Sequence, residues 1–488
     1  MTVKGMEVIK KADCIIYDRL CAPELLDYAR ADCECIYVGK EDRHHTLPQE
    51  EINALLAEKA KRNACVVRLK GGDVYVFGRG GEEGSYLAER GIAFTVVPGV
   101  SSAIAGAAYA GIPVTHRGVA TSFRVITAHN RKDKTTEMDF ASMTDVHETL
   151  IFLMGLSKVG EIADGLVAAG RDRKTPAAVI SHATTPQQQV CVGNLETIAE
   201  LKGERQLTSP AMVVVGDVVR LREQLNFFEK KPLFGKSYLV PKIGADTSRL
   251  ALSLRAKGAA VTEYMVGVIV GIPVRYTSQE LAQVDILLFT SQNGVEYFMR
   301  NLFASGMDVR SLSHARLVVI GQKTARKLRE YGLNADFMPE QFDSDSLASA
   351  LKQYIGQIQT GSPFRRRVIW YPAAKNAKDE LVDALLEVGD CGRLNVYENV
   401  ACVPEINGLP ATIGDEEIAS FDGIFFTCAS SAQRLLDGRE PEFLQQLGER
   451  TGIYSIGPKC TGALGELGIT PVIEASAHTY EGLLHLVV

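Results

Sequence analysis

Two strand-like runs in this sequence end in groups able to move protons. CIIYD (14–18) closes on Asp18, followed at once by Arg19, and CIYVGK (35–40) closes on Lys40. Enzymes built of strands and helices place acids and bases at strand termini, and a neighbouring cation keeps a carboxylate ionised. On pattern alone, a surface salt bridge accounts for the same residues. RLKGGDVYVFGRGGEEG (68–84) carries six glycines in 17 positions directly after another apolar run. Glycine lets backbone approach a ligand closely, yet the stretch fits neither GxxxxGK[ST] nor GxGxxG, and a tight structural turn explains it equally well. VVPGVSSA (96–103) is a second strand-like run ending in Pro-Gly and small residues. Two such ends side by side would make a nucleotide-like pocket at the carboxyl edge of a sheet. His44 and His45 are adjacent and point in different directions, and no HExxH or Cys/His cluster occurs, so no metal is expected. Tyr397 ends RLNVY (393–397), where a core tyrosine with a bonded hydroxyl is the plain alternative. The run Arg365–Arg367 reads as solvated surface.

Positioning these groups takes a large scaffold. The chain has 488 residues, enough for roughly three domains, with 46% hydrophobic and 23% charged residues. A net charge of −6 argues against a dedicated nucleic-acid binder. No uninterrupted apolar stretch reaches the ~18 residues of a membrane span. MTVKGMEVIKKADC mixes Lys and Glu with apolar residues at helical spacing, which no signal peptide does. Ten cysteines are scattered without a CxxC, so reduced thiols and a cytoplasmic location are expected.

Apolar β-rich runs alternate with helical patterns from end to end, which means α/β architecture. DCIIYD, CIYVGK, ACVVRLK and FTVVPG each read as a buried strand of a parallel sheet. Residues 22–31 and 47–63 read as helices, the second with Thr46 as its cap and Pro48 in its first turn. Periodicity gives way to charge, Pro and Gly at LNFFEKKPLFGKS (225–237), a linker, before the strand SYLVPKI. A weaker break falls at GIPVTHRG (111–118).

The last 250 or so residues contain an internal repeat. LLFTSQNGVEYF (287–298) resembles IFFTCASSAQRL (424–435), and LVVIGQKTARKLREYGL (317–333) resembles IYSIGPKCTGALGELGI (453–469). Thr290 to Gly321 spans 31 residues and Thr427 to Gly457 spans 30; Gly332 and Gly468 each follow 11 residues later. Two similar α/β lobes offering strand ends and helix N-termini to a shared cleft account for this, as does a duplication with one inactive lobe.

YDRL (17–20), VGK (38–40), RLKGGD (68–73), VFGRGGEE (76–83), VVPGVSSA, GIPVTHRG, TLIFLMG (149–155) and SPAMVVVGDVV (209–219) together resemble uroporphyrinogen-III C-methyltransferases, in that family's order, over residues 1 to about 222. FTSQNGVEYF, VIGQKTARKL, FFTCASSA and SIGPKCTGAL are similar to uroporphyrinogen-III synthases and cover about 236–488. KKPLFGK resembles the junction of fusions between these enzymes. The resemblance implies a tetrapyrrole-methylase fold of two α/β subdomains (about 1–113 and 114–224) with its first strand missing, a linker over 225–236, and a two-lobed synthase over 237–488. Lobe one would take about 237–272 plus 403–488, and lobe two about 273–402.

The same resemblance implies a two-step enzyme. The synthase half would cyclise hydroxymethylbilane to uroporphyrinogen III with inversion of the last ring. The methyltransferase half would methylate that product from S-adenosylmethionine, giving precorrin-2 for siroheme or cobalamin. Asp18 would accept a proton and Lys40 donate one. Gly71, Gly72, Asp73, Val76, Ser101, Ser102, Met154, Ala183 and Ala211 would contact the cofactor. Arg19 and Arg117 would meet substrate carboxylates. In the synthase half Tyr397 would assist departure of the hydroxyl, with Ser291, Thr324 and Ser430 binding substrate. A homodimer through the methyltransferase half is implied, with no nucleic-acid or membrane partner.

One departure stands out. The family opens with a strand and a GxGPGDP-type loop, whereas here MTVKGMEVIKKA aligns with the helix that follows that loop. The expectation is a start assigned too late, or an impaired methyltransferase half whose fold serves binding or dimerisation beside an active synthase. Val74 also replaces the Pro usual after GGD, and Lys459 and Cys460 stand where two hydroxyl residues are common. A third reading keeps the methylase fold with another substrate; the fused synthase and the YDRL, VGK and GIPVTHRG set speak against it.

Overall fold

The computed structural model describes residues 1–30, 32–39, 47–128, 138–244, 246–339, 349–354, 366–377, 380–387, 389–406 and 409–488. The chain forms two compact units, one of residues 1–241, 247–264 and 405–488, the other of 242–246 and 265–404.

The first unit opens with helix Val3–Lys11, capped by Thr2, whose hydroxyl accepts from Gly5 N. Strand β1 (Cys14–Tyr17) is buried throughout and lies between β2 (Glu34–Tyr37) and β3 (Val66–Leu69), both parallel to it. Residues 22–31, expected as a helix, instead form a 3₁₀ segment over Pro23–Tyr28 and turn extended at Ala29. The chain must return to Glu34, which pairs with Cys14, and the longer 3₁₀ rise covers that distance in fewer residues. The expected 47–63 helix runs Gln49–Ala60, with Pro48 just before it rather than inside. Thr46, its expected cap, lies outside the described residues, as do Lys40, His44, His45 and Arg365.

FTVVPG is not a strand: residues 92–101 contain none. Beyond β3 that sheet has no further strand among the described residues, so an apolar run there has no ladder to join. The segment is tied instead to Asp73. One carboxylate oxygen of Asp73 accepts from Gly99 N at 3.0 Å, the other from Tyr75 N at 2.9 Å and Val76 N at 3.2 Å. The contact depends on two glycines. A Cβ on Gly99 would overlap the Gly72 carbonyl, and Gly72 sits at φ +80°.

A charge cluster fixes the other side of β3. Glu83, in helix Gly80–Ala88 and only 5% exposed, accepts from Arg68 Nε at 3.1 Å, Lys70 Nζ at 2.9 Å and Gln49 Nε2 at 3.2 Å. Arg68 lies within the apolar run of β3 itself.

A second sheet follows, with β4 (Ser122–Thr127), β5 (Glu148–Leu153), β6 (Pro176–Ser181), β7 (Gln189–Asn194) and β8 (Ala211–Val215) in the order β4-β5-β8-β6-β7. Only β4 and β5 are parallel; β8 is antiparallel to β5 and β6, and β6 to β7. Residues 182–188 join β6 to β7, too few for the crossover a parallel pair needs. Helix Ser102–Tyr109 packs Ala103 and Ala107 onto one face of this sheet, beside Ile151, Ala178 and Val214. Past it, Phe228 and Leu233 are buried, and the Phe228 ring lies 4.8 Å from Tyr109 and 5.3 Å from Phe234.

Strand β9 (Ser237–Ile243) covers the predicted SYLVPKI. Strand β10 (Ala260–Gly271) leads into the second unit. There β11 (Ile286–Phe289), β12 (Arg316–Val319), β13 (Val368–Ala374) and β14 (Asp390–Ile406) pair in parallel, in the order β12-β11-β13-β14. Strand β15 (Leu409–Pro410) pairs antiparallel with the end of β14. In the first unit β16 (Gly423–Phe426) pairs in parallel with β9 and β17 (Gly452–Ser455), and β17 with β18 (Ile473–Glu474). The sequence repeat is structural. β11, helix Gln292–Ala304, β12 and helix Gln322–Glu330 match β16, helix Ala429–Leu436, β17 and helix Pro458–Glu466. Ile286 faces Arg316 in one copy as Gly423 faces Gly452 in the other.

Two outcomes are expected. Glu83→Ala takes the carboxylate from buried Lys70 and one of the two from Arg68, and should cost about 3–5 kcal/mol, read as faster hydrogen exchange at the β1 and β3 amides. Glu82→Ala, on the exposed face of the same helix, should leave those amides as they are; equal effects would refute the role of the cluster. Asp73→Asn should speed exchange of the Gly99 amide. The backbone donors, Gly99 first, hold the Asp73 carboxyl below its ordinary value. A depressed folded-state value means the stabilisation is full above the unfolded value near ~3.9 and is lost as pH falls through the folded one. The wild-type advantage over Asp73→Asn should therefore be constant at neutral pH and vanish in strong acid; a pH-independent difference would contradict it.

Candidate functional site

Strand β1 delivers Asp18 to its carboxyl end. One Asp18 oxygen takes Arg68 Nη2 at 2.9 Å; the other accepts from Leu20 N at 3.1 Å and lies 3.7 Å from the Cys21 sulfur. The cation beside Asp18 is thus Arg68, from β3, and not the adjacent Arg19, which is exposed. Arg68 spans two carboxylates, Asp18 and Glu83, so the network that stabilises β3 also fixes Asp18. Burial pushes the Cys21 thiol up to about 12, helped by the Asp18 charge, which leaves it an inert neighbour.

Close backbone packing builds the next part of the wall. A Cβ on Gly71 would stand 2.5 Å from the Leu20 carbonyl, and one on Gly72 would stand 3.5 Å from Ser102 N. Ser101 is buried and caps helix Ser102–Tyr109, its hydroxyl accepting from Ala103 N at 3.3 Å; Ser102 is exposed. Both Asp73 oxygens are taken by backbone amides, so this residue shapes the loop. Val76 and the neighbouring Tyr75 and Phe77 are exposed, Phe77 at φ +53°.

Met154, Ala183 and Ala211 come from one end of the second sheet. Met154 follows β5 at φ +57° and is 49% exposed; Ala183 lies between His182 and Thr184, both at positive φ; Ala211 starts β8 opposite Ser181. Backbone is thus held in the left-handed region at three places around one sheet end, Met154, His182 and Thr184. The Ser102 helix ties this end to the glycine loop: a Cβ on Gly106 would stand 2.9 Å from Ala183 Cβ and overlap the Met212 methyl. The structure thus gathers Gly71, Gly72, Asp73, Val76, Ser101 and Ser102 at one end of the helix, with Ala183 packed on its side. Arg117 is exposed on a turn whose ends, His116 and Ala120, pair.

In the second unit, the end of β11 and the middles of β13 and β14 bring Thr290, Ser291, Tyr371 and Tyr397 together, so Tyr397 lies within its strand and not, as expected, at its end. Ser291 Oγ lies 3.1 Å from the Tyr397 hydroxyl, and Thr290 Oγ1 donates to the Tyr371 hydroxyl at 3.3 Å. A bulge between Ala373 and Ala374 aligns Ala374 with Tyr397, leaving Val396 the extra residue. The Tyr397 ring stacks on Tyr297 at 5.8 Å. Burial raises the Tyr397 phenol, opposed by its bond to Ser291, so it holds its proton at neutral pH. Thr324 is 5% exposed, in the helix whose Ala325 and Leu328 join the core of its lobe. In the matching repeat of the first unit Ser430 lies 3.4 Å from the Cys428 sulfur. There Thr461, one place beyond the Thr324 equivalent, bonds Ser455 at 2.6 Å and the Glu474 carboxylate.

Arg68, Tyr371 and Glu474 were not expected from sequence. An arginine inside an apolar strand run is a signal that finds the first; the other two depend on contacts 81 and 13 residues apart. Among the described residues no group of His, Cys, Asp and Glu could hold a metal ion, and no helix is long and apolar enough to cross a membrane.

Residues 1–199 match the family model of the tetrapyrrole (corrin/porphyrin) methylases, and residues 248–485 match that of uroporphyrinogen-III synthase HemD. Over 361 residues the chain is 38% identical to the porphyrin biosynthesis protein HemD of Ruminiclostridium josui, covering 73% of this chain and 72% of that one. It is 40% identical over 334 residues to the uroporphyrinogen-III C-methyltransferase of Bacillus subtilis, covering 68% and 69%. A siroheme synthase of Pseudomonas aeruginosa is 47% identical over 229 residues, 47% of this chain and 49% of that one. The chain belongs to the family in which a tetrapyrrole methylase is followed by a uroporphyrinogen-III synthase.

Proposed function

We propose that this protein cyclises hydroxymethylbilane to uroporphyrinogen III and methylates that product from S-adenosylmethionine to precorrin-2, on the branch to siroheme or cobalamin. The observation that carries the reading is that both family models fall in sequence on one chain, with a hydrogen-bonded polar cluster in each half.

The glycine wall fits the cofactor. Gly71 lets the backbone pack against the Leu20 carbonyl, Gly72 takes a φ of +80° beside the Ser102 helix N-terminus, and Val76, Phe77 and Met154 supply exposed apolar surface for an adenosyl group. When bound, S-adenosylmethionine supplies an electrophilic methyl group. Pyrrole carbons are already nucleophilic, so this chain's residues have to align the ring and take up a proton. Asp18, held by Arg68, is the acceptor in this reading, and Lys40 the donor. Arg19 and Arg117, both exposed, meet the carboxylates of the substrate.

In the synthase half Tyr397 delivers a proton to the departing hydroxyl, with Ser430 and Thr324 belonging to the substrate-binding lobes. The domain limits are about 1–224 for the methyltransferase and 237–488 for the synthase, with subdomains and lobes as drawn from the sequence. Pairing through the methyltransferase half into a cytoplasmic homodimer belongs to the same proposal, and sedimentation at micromolar concentration should then give twice the chain mass.

The test supplies the purified chain with hydroxymethylbilane and labelled S-adenosylmethionine. Labelled precorrin-2 is expected. Asp18→Asn should lower label incorporation ~100-fold while uroporphyrinogen III still forms at the wild-type rate. Unlabelled uroporphyrinogen III from the wild-type chain would leave a synthase joined to a half that transfers no methyl group.

A further inference from the structure

The Tyr397 hydroxyl is held by a group whose own bonding is already fixed. Ser291 is the residue before helix Gln292–Ala304, in extended backbone at φ −147° and ψ 156°, and its Oγ accepts from Gly294 N at 2.9 Å. That bond occupies a lone pair of Ser291 and leaves the Ser291 proton free to donate. The Tyr397 oxygen lies 3.1 Å away, a contact in which either hydroxyl can be the donor. A phenol that accepts in this direction has its own proton free to point elsewhere.

The ring is packed on one face. It stacks on Tyr297, whose hydroxyl is anchored on the Ile269 carbonyl at 3.1 Å. The neighbouring Tyr371 hydroxyl is engaged by Thr290. We propose that Ser291 is a positioning residue for Tyr397: fixed by the first turn of its helix, it donates to the phenol oxygen and directs the phenol proton at the leaving hydroxyl of the substrate. The inference rests on Tyr397 being the proton donor for cyclisation.

The step balances. The C–O bond of the hydroxymethyl group breaks with its electron pair going to oxygen, which takes the Tyr397 proton and leaves as water. A methylene-pyrrole cation and a phenolate remain. The phenolate keeps the Ser291 hydrogen bond, now charge-assisted, and lies near the positive end of the helix. Attack of the terminal pyrrole on the cation releases a proton, which restores the phenol.

Two roles of Ser291 have to be separated, the helix cap and the donor. Aspartate caps a helix as well as serine does but has no proton to give. Ser291→Asp should therefore keep the fold of this lobe yet lower kcat about tenfold with KM little changed. It should also move the alkaline limb of the kcat–pH profile upward. The titratable groups facing Tyr397 are Tyr297 from the helix and Tyr371 from β13, with the Lys375–Glu398 pair beside it, and none of them is altered. Ser291→Thr keeps both hydroxyl functions and should recover most of the kcat that Ser291→Asp loses. In a Tyr397→Phe background, Ser291→Asp should have no further effect.

Wild-type kcat and pH profile in Ser291→Asp, with Tyr397→Phe still slow, would overturn the positioning role alone. An equal fall in the Tyr397→Phe background would overturn it too. Wild-type turnover in Tyr397→Phe itself would remove the reading of Tyr397 and this inference with it.

Discussion

A parallel strand is joined to the next by a crossover, and that constraint places Asp18 and the Thr290–Ser291 pair in this protein. Each crossover returns the chain to start the next strand from the same side, so all the strand ends point one way. β1 delivers Asp18, and the end of β11 places Thr290 and Ser291 beside Tyr371 and Tyr397, which stand within β13 and β14. The helix that follows β11 begins where that strand ends, so its cap Ser291 stands beside Tyr397. Chemistry needs groups close in space, and this topology collects them from segments far apart in sequence.

Within that frame the methylase half depends on two kinds of close fit. One is backbone against backbone, where Gly72 and Gly99 touch in a way no side chain permits, with Asp73 closing the seam. The other is charge. Arg68 is held between the buried Glu83 and the less buried Asp18, so removing Glu83 would cost both stability and the aim of Asp18. A buried ion cluster of this kind gives little net stability against an apolar core, but breaking it is expensive, which makes it a device of position. The synthase lobe reaches a similar end with neutral groups, through stacked rings and hydroxyl bonds around Tyr397.

Much of this was legible in the residues and some was not, for definable reasons. The repeat of 287–333 in 424–469 was visible because packing demands apolar strands and small residues at fixed spacing, and both copies form the same strand–helix pairs. Glycine density in 68–84 announced a close backbone approach, though not that the partner would be Gly99. FTVVPG read as a strand because composition reports burial and says nothing about whether a neighbour exists to complete a ladder. Strand direction was hidden for the same reason, and β6, β7 and β8 turned out antiparallel. The partner of Asp18 lay 50 residues away in Arg68, beyond the reach of local pattern, while the adjacent Arg19 drew attention only by adjacency.

The most direct measurement is a crystal structure of the chain with S-adenosylhomocysteine and uroporphyrinogen III bound. The account predicts the nucleoside against Gly72 and the Ser102 helix N-terminus, with the Asp18 carboxylate toward the tetrapyrrole. A nucleoside bound away from the glycine wall, or a tetrapyrrole out of reach of Asp18, would contradict it.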